Sequence, residues 1–78
     1  MNINTLKRIF NQSGISLVWS INPFTSLTEL TVDEGRALIC GIKLDAEHNI
    51  DPEYKPIIVK SLRRRGYNAI ADIIQKLP

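Results

Sequence analysis

The spacing of apolar positions changes along this chain, and each change marks an expected element. In "NINTLKRIFNQSG", Ile3, Leu6, Ile9 and Phe10 recur at three- and four-residue intervals, the stripe of an amphipathic helix. Gly14 stands where such a helix stops, and Lys7 and Arg8 point away from the stripe. In "ISLVWSI" the period falls to two. Ile15, Leu17, Trp19 and Ile21 alternate with Ser16, Val18 and Ser20, a strand pattern closed by the turn pair Asn22-Pro23. A lone strand leaves its main-chain groups unpaired, so either a second strand lies around Leu27 to Val32 or this segment is helical despite its pattern. The alternation turns Trp19 toward the core with Ile15, Leu17 and Ile21. Were the strand an exposed edge, Trp19 or Phe24 would instead anchor a partner.

The segment "LTVDEGRALICGIKL" fits both periods. Thr31 followed three residues later by Glu34 makes a capping box, in which hydroxyl and carboxylate each accept from the other's main-chain N–H. Val32, Leu38, Ile39 and Ile42 would then form a buried helical stripe. Against this, Leu38, Cys40, Ile42 and Leu44 alternate, and "DEG" suits a hairpin turn. Gly35 and Gly41 would each cost a helix about 1 kcal/mol relative to alanine. The capping box decides for a helix.

"DAEHNIDPEYKP" is polar, holds two prolines and has no period, so it reads as a loop, with Pro56 placed for the first turn of the next helix. "PIIVKSLRRR" then sets Ile58, Val59 and Leu62 on one side, and Ile70, Ile73, Ile74 and Leu77 recur helically to the end. The expected fold is therefore a mainly α single domain over residues 1–78, with about four short helices. A short β element near residues 15–21 is included, an α+β arrangement is the alternative, and the chain ends in a C-terminal αα-hairpin.

The run "SLRRRGYNAIADII" poses the main functional question, because three arginines before a glycine suit either a phosphate grip or a helix end. Successive helical residues lie about 100° apart, so Arg63, Arg64 and Arg65 fan around the axis and cannot meet one flat surface together. Lys60 and Arg64 do share a face. A structural role accounts for every letter: cations in a last turn oppose the negative end of the helix dipole. With Arg65 as the cap residue and Gly66 left-handed, Leu62 and Tyr67 take the two positions whose apolar contact accompanies a Schellman ending. Asn68 would then cap the last helix. Specific DNA reading by a helix-turn-helix is disfavoured, since the second helix would present Asp72 to phosphates.

Composition narrows the classes. The 78 residues are 44% hydrophobic and 23% charged, too apolar for a disordered chain, and a domain this small hides only about 60% of its unfolded surface. Net charge is +2, with the excess concentrated in Lys55, Lys60, Arg63, Arg64 and Arg65. A single Cys40 permits no internal disulfide, which favours a cytoplasmic setting. The polar "NQSG" breaks the apolar run a secretory signal needs, and "ALICGI" falls far short of the roughly 20 residues that cross a bilayer.

Reaction chemistry finds no support. Asp45, Glu47, Asn49, Asp51 and Glu53 are spaced somewhat like a calcium loop, but Ile50 replaces its glycine and Pro56 its final glutamate. His48 has no evident nucleophile beside it, one Cys and one His are too few soft ligands for a metal, and no glycine-rich phosphate loop is present. No cofactor and no catalytic residue is expected. By elimination the chain is expected to be a non-enzymatic protein-binding domain, a regulator, inhibitor or adaptor, with self-association also in view. The alternative is nucleic-acid binding through the basic patch, and the candidate contact residues are Lys55, Lys60, Arg63, Arg64, Arg65 and Trp19.

Overall fold

Asn2 starts the first helix. Its side chain accepts from the Asn4 N–H at 2.8 Å, and α1 (Ile3–Gln12) buries Ile3, Leu6, Ile9 and Phe10, the stripe expected from their spacing. The helix closes with Gly14 N–H on the Asn11 carbonyl and Ile15 N–H on the Phe10 carbonyl, both at 3.0 Å, which turns the chain back into the sheet. The computed structural model describes residues 1–32 and 36–77, with only the main chain for residues 36–40.

Three strands follow: β1 (Leu17–Ile21), β2 (Thr28–Val32) and β3 (Arg36–Ile42). They pair antiparallel in the order β1-β2-β3, with Trp19 opposite Leu30 and Val32 opposite both Leu17 and Arg36. A short 3-10 turn (Pro52–Tyr54), begun by Asp51 accepting from the Glu53 N–H, leads into α2 (Lys55–Arg64), and α3 (Asn68–Gln75) ends the described helices.

The expectation of a mainly α domain with about four helices is overturned: the described residues form three α-helices and a three-stranded antiparallel sheet, an α+β domain. The segment expected as a capped helix supplies the second half of that sheet. Thr31 sits in β2, where its hydroxyl donates to the Val18 carbonyl at 3.4 Å, so it cannot serve as a helix cap; Glu34 lies outside the described residues. The physical reason is the main chain of β1. Its N–H and C=O groups on the β2 side demand a partner strand, and a short i,i+3 cap cannot outweigh a whole ladder, particularly in a segment weakened as a helix by two glycines.

Leu17, Leu30, Val32 and Ile42 turn one sheet face inward against Phe10, Leu6, Ile58, Leu62 and Ile74. α1 rests on β1 and α3, while α2 rests on β3 and α3, so all helices cover the same face. On the opposite face Val18, Ser20 and Glu29 are exposed, and no described element covers them. The N-terminal segment is tied down through the loop at 45–50. Ile3 N–H donates to the His48 carbonyl at 3.0 Å, Ile50 N–H to the Met1 carbonyl at 2.7 Å, and Asn2 Nδ2 to the Glu47 carbonyl at 3.0 Å.

Candidate functional site

The basic corner is built as the arginine run suggests. Gly66 has φ +85°, its N–H reaches the Arg63 carbonyl at 3.1 Å, and the Tyr67 N–H reaches the Leu62 carbonyl at 2.9 Å. These are the paired bonds of a Schellman ending. Leu62 is buried and Tyr67 packs against the core, completing the apolar half of the motif. Asn68 does not cap α3 as expected. It is already helical, Tyr67 precedes it without a side-chain cap, and the Schellman turn has used the residue that would separate the two roles.

The candidate cations then divide. Arg63 Nη2 donates to Asp72 Oδ1 at 2.7 Å and to Gln75 Oε1 at 2.8 Å, binding the end of α2 to α3. Lys55 Nζ donates to the Leu77 carbonyl, binding the start of α2 to the end of α3. Lys60 and Arg64 are exposed and make no hydrogen bond or ion pair among the described residues. Arg65, also exposed, is engaged by a further interaction. Lys55, Lys60 and Arg63 meet along a groove of about 380 Å³ whose floor is Pro56 and Val59, with Gln75 opposite; Arg64 and Arg65 do not line it. Two of the three groove cations thus already hold protein acceptors.

Trp19 sits elsewhere, on β1. It is half-buried against the core, and its ring lies 5.2 Å from that of His48 at a 55° tilt, so it clamps the 45–50 loop to the sheet. The expected inward line of β1 fades along the strand, from Leu17 at 1% exposure to Ile21 at 50%. Beyond Ile21 comes the most exposed large apolar side chain among the described residues, Phe24 at 94%.

The turn that carries Phe24 is ordered by its own polar groups. Asn22 Oδ1 accepts from the Phe24 N–H at 2.8 Å and the Thr25 N–H at 3.3 Å, and the Ser26 N–H reaches the Asn22 carbonyl at 2.8 Å. Thr25 Oγ1 accepts from Leu27 N–H at 3.2 Å, and Asn22 N–H closes the hairpin on the Leu27 carbonyl at 2.8 Å. Ser26 takes φ +61° to complete it. With Val18 at 56%, three exposed apolar residues lie on β1 and its turn. Phe24 had a signal in the sequence: an aromatic inside "NPFTS", flanked by turn formers, with no alternating or helical neighbour to bury it.

The acidic loop is occupied by its own folding. Asp45 Oδ1 accepts from the Asn49 N–H at 2.8 Å and the Glu47 N–H at 2.9 Å. The Asn49 main-chain bond, with lesser help from the Asn49 side-chain amide and the Glu47 N–H, holds the Asp45 carboxyl below its usual 3.8 against the opposing effect of desolvation. Among the described residues no group of His, Cys, Asp and Glu is arranged to hold a metal ion. No described helix is long and apolar enough to cross a membrane.

No protein-family model matches this chain, and neither a curated protein nor a solved structure matches it significantly.

Proposed function

We propose that this chain is a small non-enzymatic protein-binding domain that acts in the cytoplasm as a regulator, inhibitor or adaptor of another protein. Its contact surface is the hairpin tip at Phe24. The observation that carries this reading is Phe24 itself, 94% exposed on a turn held by Asn22 and Thr25. Single exposed apolar residues on mobile loops are ordinary. An aromatic presented on a hydrogen-bonded turn has little main-chain entropy left to lose, and aromatic side chains, phenylalanine among them, are enriched at interfaces.

The nucleic-acid alternative draws less support. Of the five cations of the basic patch, Lys55 and Arg63 donate to groups of α3 and its end, so a phosphate would have to compete with bonds the fold already makes. The test is retention of a host protein by immobilised domain and by two variants, Phe24→Ser and the double change Lys60→Glu with Arg64→Glu. Loss of a specific protein with Phe24→Ser alone supports the proposal. Retention of nucleic acid that is lost with the double charge reversal and with salt, and unaffected by Phe24→Ser, overturns it.

A further inference from the structure

We infer that β1 is a self-pairing edge, and that two copies of this chain join antiparallel along it into one continuous sheet. β1 stands at one end of the order β1-β2-β3, so among the described residues only one side of it is paired. The direction of its main-chain groups follows from the hairpin. Asn22 N–H donates to the Leu27 carbonyl, and the register steps from there through Ser20–Glu29 to Val18–Thr31. In an antiparallel ladder alternate residues bond the same neighbour. Ser20 and Val18 therefore face β2, and Leu17, Trp19 and Ile21 turn their N–H and C=O groups outward.

The two edges of the sheet are not equivalent. β3 is broken by register shifts opposite Thr28–Leu30 and Leu30–Thr31, with Gly41 at φ +84° inside the first, and bulges of this kind twist an edge away from further pairing. β1 keeps one register over its whole length, and "LVWSI" has no proline, no charge and no bulge to blunt its edge.

The same strand is complementary to itself. A two-fold axis at Trp19 sets Trp19 against its mate, and Leu17 against the second copy's Ile21 with the reverse pair beyond. Every outward N–H and C=O of β1 then finds a partner. The uncharged strand brings no like charges together, which a charged partner strand would not improve. Ile21, half exposed in one copy, gains an apolar neighbour on the side where it now meets water. Phe24 lies five residues from the axis at Trp19. The two tips therefore stand roughly 30 Å apart at opposite ends of the shared ribbon. The dimer leaves both Phe24 side chains for other contacts, so it holds or fails independently of what Phe24 binds.

The test is sedimentation equilibrium over a dilution series, joined to amide hydrogen exchange at the concentrated end. A mass of twice 8.8 kDa is expected at high concentration. The Leu17, Trp19 and Ile21 amides should exchange at least tenfold more slowly there than in dilute protein, by the order of magnitude that pairing confers. Ile21→Pro removes one outward N–H without touching the β2 ladder, a substitution edge strands accept, and it should give a monomer at every concentration. Should that variant fail to fold, the exchange of the three amides in the unaltered chain decides. A monomer throughout, or a dimer in which those amides stay unprotected, overturns the inference.

Discussion

Arg63 crosses the helical corner to Asp72, its guanidinium 2.7 Å from the carboxylate and 2.8 Å from the Gln75 side-chain oxygen. One residue of the arginine run is thereby a brace between α2 and α3, while Arg64 beside it makes no such bond among the described residues. Adjacent and chemically identical side chains have different work, because 100° of helical rotation separates them.

That difference is measurable. The Arg63–Asp72 pair is substantially exposed, at 39% and 57%, so solvent weakens it and Arg63→Met is expected to cost about 0.5–1 kcal/mol. Part of that loss should vanish at high salt. Arg64→Met should stay within about 0.5 kcal/mol of the unaltered chain. Urea unfolding at low and high salt gives both values, and equal effects at the two positions would refute the brace.

Gly66 tests the turn. Nothing lies within 4 Å of where its Cβ would stand, so a side chain meets no steric obstacle and only the backbone conformation at φ +85° is penalised. Gly66→Ala is expected to cost about 1–2 kcal/mol, and Gly66→Asn less, because asparagine tolerates the left-handed region. A neutral Gly66→Ala in thermal unfolding would mean the Schellman ending is not formed.

Thr28 carries a defect. It is 1% exposed, and its hydroxyl has no hydrogen-bond partner among the described residues. Thr28→Val keeps the branched shape and removes the buried polar atom, so it should stabilise the domain by about 1 kcal/mol. A loss of stability would show that the hydroxyl is in fact satisfied.

Asp45 sets an acid limb. Its folded-state pKa is lowered by the Asn49 and Glu47 N–H groups, so the stabilisation is present above the ordinary value of 3.8 and is lost as pH falls through the folded value. In thermal melts, Asp45→Asn should lie below the unaltered chain at neutral pH, and the gap should close below about pH 4. A gap that persists unchanged at low pH would assign the effect to something other than the carboxylate charge.

The parts of this fold legible in the sequence were those whose causes are local. The α1 stripe needs only the 3.6-residue period, and the Leu62–Gly66–Tyr67 ending only a glycine at the right offset. A strand around Leu27 to Val32 was one of the two readings open in the sequence, and β2 fills it; β3 was misread because Thr31 and Glu34 mimic a cap, while the deciding interaction is the pairing of β1, β2 and β3 across the sheet. The candidate cations were identified by type, but which of them the fold consumes depends on where α3 returns. That return places Asp72 and Gln75 beneath Arg63, and Leu77 beside Lys55. Trp19 was expected inside and stands half inside, because β1 runs out past the edge of the helical layer toward Phe24.

A photo-crosslinking residue placed at position 24, compared with the same residue at position 64, tests the contact surface most directly. Irradiation in host extract should give a discrete protein adduct at 24, suppressed by excess unaltered domain, and none at 64. Adducts confined to 64, or nucleic acid captured there and nothing at 24, would remove the hairpin tip from its assigned role and return it to the basic corner.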